Sequence, residues 1–191
     1  KAGKLKRLWQ SPFTLHSEVV AAINREAEHA AAGKPAAIVA KMNALLEPQV
    51  IAALYAASQA GVKIDLIIRG VCALRPGIAG LSEHIRVRSI VGRFLEHSRI
   101  FYFKNSGDEQ VYLSSADWMD RNFFRRIETG FPILNPKLRK RVIAEGLKPY
   151  LRDNVQAWEM HSDGSYRRRS PRRAKPYCAQ VELLALLSKQ K

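Results

Sequence analysis

The chain has 191 residues, a mass of 21.5 kDa and 47% hydrophobic residues, which suits one globular domain with a buried core and argues against global disorder. Thirty-two Lys and Arg against 17 Asp and Glu give +15 at pH 7 and a pI near 10.2, an excess that points to a polyanionic partner. Cys72 and Cys178 lack CxxC or CxxH spacing, apolar runs such as Ile64–Ile68 are broken by charge, and no apolar segment follows the first basic residues; a disulfide framework, a zinc site, a membrane helix and a secretory signal are therefore not expected, and a reducing compartment is.

Leu15–Ala32 spaces Val19, Val20, Ile23, Ala27 and Ala31 at a helical period among charges, and Gly33-Lys34-Pro35 ends it. Ile38 and Val39 open an extended segment, proline starts a helix expected over Pro48–Ala60, and GVKIDLIIRG is an apolar strand, so a βαβ unit is predicted. Strands follow at Ile85–Val91, Arg99–Phe103 and Gln110–Ser114, the last two joined across Asn105-Ser106-Gly107-Asp108, and are expected to add to the parallel core in hairpin style. ADWMDRNFFRR predicts a helical turn or short helix, RIETGFPIL a strand, and Pro136–Tyr150 a helix with Leu138, Val142, Ile143 and Leu147 on one side. His161–Pro176 is polar, basic and punctuated by Gly and Pro, so an exposed loop is expected before an amphipathic helix over Tyr177–Lys189. The expected fold class is α/β, a mixed, largely parallel sheet flanked by helices. Residues 1–160 form its domain, and residues 161–191 pack on it as a basic loop and C-terminal helix. Between Arg121 and Lys175 fifteen Lys or Arg stand against five acids, a net +10, which places the expected anion-facing surface there.

His97 and Arg99 are two apart at a strand start, so both side chains leave one face, and an imidazole beside a fixed cation suits an anionic phosphoryl group. One strand later Tyr112–Asp117 ends in Ser114 and Ser115 and opens a helical segment, offering hydroxyls and free N–H groups to phosphate oxygens, or a helix cap.

A His-x-Lys/Arg strand followed by a strand ending in Ser-Ser-Ala-Asp is similar to the half-site of the phospholipase-D-like superfamily. IIRGVCALRPGIAGLSEHIRVRSIVGRFLEHSRIFYF and VYLSSADWMDRNFFRRIETGFPI resemble the C-terminal domain of bacterial polyphosphate kinase, the large histidine-phosphorylating type. The likeness runs over nearly the whole chain, from the early helix and KMNALLE to the basic tail. It implies a phospholipase-D-like domain of an ATP–polyphosphate phosphotransferase that moves the ATP γ-phosphate reversibly to inorganic polyphosphate through a phosphohistidine. ATP, ADP and polyphosphate are the implied substrates. The resemblance further implies Mg2+ with ligands outside these residues, preceding domains of the same enzyme as partners, a homo-oligomer at full length, no specific nucleic acid, and a cytoplasmic location, free or peripheral at the inner face of the membrane.

By the same resemblance Arg69, His97 and Arg126 line the ATP phosphate pocket. Their chemistry agrees. Arg69 stands at the carboxyl end of IDLIIR, where open α/β sheets place ligands, and Gly70 permits close backbone approach. Guanidinium forks hold phosphate oxygens bidentately and stay charged. An imidazole titrates near pH 6.5 in free solution, so His97 can act as acid, base or phosphate acceptor. Arg99, Ser114 and Ser115 are supporting candidates, and Glu128, two residues after Arg126, is a candidate for orienting the His97 ring. No residue is assigned to a metal.

Two departures bear on function. Hydrolytic phospholipase-D half-sites read HxKxxxxD, whereas Arg99 stands for the Lys and Lys104 for the Asp here, which argues against phosphodiester hydrolysis. The similar kinases take a second, phosphorylated histidine, a further arginine and magnesium-contacting groups from a preceding domain. These are missing from this sequence, and it opens abruptly at KAGKLKRLWQSPF, so the chain is expected to be a C-terminal fragment, inactive or nearly so alone. The alternatives are a phospholipase-D-like phosphodiesterase and a basic nucleic-acid-binding module. The cluster Arg167–Arg169, Arg172 and Arg173 fits such a module, and fits a polyphosphate path equally.

Overall fold

The computed structural model describes residue 5 and residues 7–189. Residues 1–4, 6, 190 and 191, which the expected domain limits and the abrupt KAGKLKRLWQSPF start include, lie outside it. Trp9–Gln10 (β1) precedes Leu15–Ala31 (α1), Ala37–Met42 (β2), Pro48–Gln59 (α2) and Lys63–Ile68 (β3). The βαβ expectation holds: β2 and β3 run parallel, with Ala37 opposite Lys63 and Met42 opposite Ile68. Pro48 occupies the first turn of α2, and the Glu47 carboxylate accepts the Val50 N–H at 2.7 Å, satisfying an amide the helix itself leaves free.

The remaining strands are Ile85–Ile90 (β4), Arg99–Phe103 (β5), Gln110–Ser114 (β6), Thr129–Pro132 (β7), Ala157–Met160 (β8) and Tyr166–Arg168 (β9). They complete one sheet in the order β1-β7-β6-β5-β2-β3-β4-β8-β9. The mixed α/β sheet flanked by helices is as expected. Its parallel part is smaller than "largely parallel" implied: only β2, β3 and β4 run together, and every other pairing is antiparallel. The connections decide this. Residues 69–84 are long enough for a crossover, so β4 joins β3 in parallel rather than as a hairpin, whereas the turns after β5 and β8 leave only the antiparallel option.

Alternation along each strand builds two cores. Ile38, Ala40, Met42, Ile64, Leu66, Phe101 and Phe103 meet Val19, Ile23, Val50 and Leu54 of α1 and α2 on one face. Ile67, Ile90, Ile100 and Val111 meet Leu147, Tyr150 and Ala179 on the other. That second layer comes from Pro136–Gly146 (α3), Lys148–Arg152 (α4) and Ala179–Leu187 (α5). The single helix expected over Pro136–Tyr150 breaks at Leu147 because Pro149 has no N–H to give and its ring crowds the preceding turn. Leu138 is exposed rather than part of the apolar side. The helical turn at Arg121–Arg125 is a single wide, π-type turn that buries Asn122 and Phe123. The expected loop over His161–Pro176 instead contains β9, paired to β8 with Trp158 opposite Arg168 and Met160 opposite Tyr166. Both cysteines are free and half-buried. Among the described residues no helix is long and apolar enough to cross a membrane.

Candidate active site

Strand direction gathers the candidate residues at one end of the sheet. Arg69 follows β3, His97 precedes and Arg99 opens β5, Ser114 closes β6 just before Ser115 and Asp117, and Arg126 and Glu128 precede β7. Because β5 and β7 run against β3 and β6, the carboxyl ends of one pair and the amino ends of the other coincide. With strands about 4.8 Å apart in the order β7-β6-β5-β2-β3, the strands that follow Arg126 and precede Arg69 lie about 19 Å apart across the sheet, with the strand of His97 midway.

A continuous polar chain ties Arg69 to the start of β5. Arg69 Nε donates to Asn43 Oδ1 at 3.1 Å, and the Asn43 N–H donates to Asp117 Oδ1 at 2.7 Å. Arg99 meets Asp117 as a two-pronged ion pair, Nε to Oδ1 at 3.0 Å and Nη2 to Oδ2 at 3.1 Å, and its Nη1 donates to the His97 carbonyl at 3.1 Å. Asp117 is 5% exposed. Arg99 therefore turns inward: it fixes the backbone of His97 instead of standing beside the imidazole as a free cation. Gly70 closes the arrangement from below, donating its N–H to the Asn43 carbonyl at 2.8 Å, and a Cβ there would meet that oxygen at 2.9 Å.

Beside Arg69 a buried charge pair anchors the residue preceding His97. Lys41 Nζ lies 2.8 Å from Glu96 Oε2 and 3.5 Å from the centre of the Tyr150 ring, and both Glu96 oxygens accept from the Tyr150 hydroxyl at 2.9 Å. Burial pushes the Lys41 ammonium below the ordinary lysine value, against the pull of Glu96. Burial alone would raise Glu96, but the hydrogen bond and charge of Lys41, then Tyr150 and Gln180, hold it below the usual carboxylate range. Lys41, Asn43, Arg69, Glu96, Ser98 and Tyr150 line one small cavity. Lys41, Asn43, Glu96 and Asp117 escaped the sequence reading. A charged residue inside the otherwise apolar β2 was the one available signal.

His97 and Arg126 are exposed at the same end of the sheet, outside the lining of that cavity, with no side-chain hydrogen bond among the described residues. The helix-cap reading of the serines fails, since no α-helix starts at the end of β6 and the next helical element is the π-type turn at Arg121–Arg125. Ser114 Oγ donates to the Thr129 carbonyl at 2.8 Å and accepts the Ala116 N–H at 3.0 Å, while Ser115 Oγ donates to Glu128 Oε2 and accepts the Thr129 N–H at 3.0 Å. Glu128 does not orient the His97 ring: its carboxylate is buried between Ser115 and the Asn122 amide, which donates to Oε1 at 2.6 Å, and it pins the turn carrying Arg126 to the end of β6. Glu96, Asp117 and Glu128 are all engaged by protein donors, so the carboxylates of this site do not fit a magnesium ion held by these residues alone. Lys104, where hydrolytic half-sites carry Asp, pairs with Glu109 at 3.0 Å.

Residues 8–180 match the family described as polyphosphate kinase C-terminal domain 2. The polyphosphate kinase of Paraburkholderia phytofirmans is 74% identical over 168 residues, 88% of this chain and 24% of that protein. The chain thus spans about a quarter of the length of the curated relatives it matches. The crystal structure of polyphosphate kinase from Porphyromonas gingivalis superposes with a TM-score of 0.94 at 40% identity, covering 100% of this chain and 29% of that one. Nuc, a phospholipase D family member from Salmonella typhimurium, shares the fold at a TM-score of 0.59 and 17% identity, covering 82% of this chain and 97% of its own.

Proposed function

The chain belongs to the polyphosphate kinase C-terminal domain 2 family, and from that premise we propose that it contributes the nucleotide-phosphate end of a site for reversible transfer of the ATP γ-phosphate to inorganic polyphosphate. The observation that carries this reading is the common sheet end of Arg69, His97 and Arg126, with Arg69 and the His97 backbone joined through Asn43, Asp117 and Arg99. Arg69 and Arg126 hold phosphate oxygens whose charge spreads during transfer. The bond from phosphorus to the ADP oxygen breaks as a bond to a histidine nitrogen forms. In the second half the terminal polyphosphate oxygen attacks phosphorus and the nitrogen leaves. His97 gives or takes the proton at the reacting oxygen. The phosphorylated histidine and the groups that hold magnesium come from elsewhere in the enzyme, so the 191 residues alone are inactive. ATP consumption and two free thiols support a cytoplasmic place. The phosphodiesterase alternative lacks support, because Arg99 is committed to Asp117 and position 104 holds a lysine.

In the native polypeptide carrying this sequence, His97→Ala is expected to lower ATP–polyphosphate exchange by about 100-fold or more. The melting temperature should barely move, since the side chain is exposed and unbonded. Exchange near the wild-type rate removes His97 from the mechanism.

A further inference from the structure

The segment between β4 and β5, residues 91–98, carries His97 and has no regular structure of its own. Val91, Arg93, Phe94, Leu95, His97 and Ser98 are all exposed, so little packing fixes their course. Fixing each such residue costs backbone entropy, and specific anchors must supply the order. Gln180, on the first turn of α5 and 5% exposed, is one of them. Its Nε2 donates to the Phe94 carbonyl at 2.7 Å and to Glu96 Oε1 at 3.1 Å, and its Oε1 accepts the Phe94 N–H at 2.9 Å. One amide thus serves both backbone groups of Phe94, as a neighbouring strand would. Gly92 sits so close to the amide oxygens of Gln156 and Gln180 that a Cβ would collide with both. The second anchor is Glu96, held by Lys41 and Tyr150 as well as by Gln180.

We propose that Gln180 and Glu96 are positioning residues for His97, and that α5 thereby belongs to the phosphoryl-transfer machinery although its own residues stand away from the phosphates. The proposal rests on His97 acting in that transfer. His97 lies between two fixed neighbours, Glu96 on one side and Arg99, locked to Asp117, on the other. Removing the Gln180 anchor frees the segment upstream and takes one of the donors from Glu96, so the imidazole can shift on the order of 1 Å. Misplacement on that scale costs about 100-fold in rate.

The test compares wild type, Gln180→Met and His97→Ala in the native polypeptide, by ATP–polyphosphate exchange, melting temperature and amide hydrogen exchange. Methionine keeps the length and bulk of glutamine without the amide. Gln180→Met is expected to lower kcat by about 10- to 100-fold with KM for ATP changed less than about threefold, and to speed hydrogen exchange selectively over residues 92–98. If Gln180→Met keeps kcat within twofold while His97→Ala is inactive, the positioning role is wrong and the phosphotransfer reading stands. A kcat loss no larger than the loss of folded protein also overturns the positioning role. If His97→Ala itself retains exchange, the reading beneath the proposal has failed.

Discussion

Lys41 is the only charged residue of β2, and it points to the face carrying Val39 and Ile67, where the cavity beside Arg69 lies. Lys41 is 4% exposed, so the Glu96 carboxylate matters as its compensating charge and not as a surface ornament. Glu96→Gln is expected to cost about 2–3 kcal/mol at pH 7, a drop on the order of 6 °C in melting temperature. The pH dependence follows from the direction of the Glu96 shift. Its folded value lies below the unfolded one of about 4.3, so the stabilisation is complete above that pH and is lost as pH falls through the folded value. Melting curves from pH 7 to pH 3 should therefore show the wild type converging on Glu96→Gln once the carboxylate is protonated. A gap that stays constant down to pH 3 would separate Glu96 from Lys41 energetically. None of this pairing was legible in the sequence, because Lys41, Glu96 and Tyr150 meet only after β2, β5 and α4 are placed. The arginines and His97, by contrast, stood inside recognisable strings of residues.

Elements carried a clearer signature where pattern and turn chemistry agreed. The limits of β5 and β6 match their expected spans because alternating aromatic and β-branched residues flank a four-residue turn of Asn, Ser, Gly and Asp. α1 and α2 were equally plain from their period and stop signals. β1 was invisible as a two-residue strand, β8, Ala-Trp-Glu-Met, is too short to show an alternating pattern, and β9 was masked by a basic, glycine-punctuated composition that reads as loop. The break between α3 and α4 was written in Pro149, whose meaning the surrounding helical period concealed. The junction of β3 with the site shows how an element end becomes functional geometry. Arg69 leaves β3 and Gly70 turns the chain against the Asn43 carbonyl, so that Asn43 can hold Arg69 with its side chain and Asp117 with its backbone. Gly70→Ala would place a Cβ 2.9 Å from that backbone oxygen, which has no flexible side chain to yield. The expected cost is about 1–3 kcal/mol, measured by denaturant unfolding. Because the shift displaces Asn43, weaker ATP binding should accompany it. Unchanged stability and affinity would mean that the close approach relaxes without consequence.

At the scale of the molecule, the +15 charge is not gathered on the surface that a count along the chain suggested. The run from Arg121 to Lys175 begins in the turn before β7, near one edge of the sheet, passes through α3, and ends just beyond β9 on the other edge. Seven strand spacings separate β7 from β9, roughly 33 Å. Sequence proximity therefore overstated a local patch, while the excess of cation over anion remains a property of the whole surface. A flexible polyanion can meet such a surface at several points, and each phosphate neutralised by a fixed cation releases a counterion. Polyphosphate binding by the native polypeptide should accordingly weaken steeply with salt. Three contacts would raise Kd on the order of 20-fold between 50 and 200 mM salt, taking the slope per contact known for nucleic acids. Arg126→Ala should lower the slope of log Kd against log salt by about one, the signature of a single lost phosphate contact. His97→Ala should leave that slope nearly unchanged if the imidazole acts on the proton rather than as a permanent cation. Titration at four salt concentrations distinguishes these outcomes, and an unaltered slope in Arg126→Ala would place that guanidinium outside the path of the polymer.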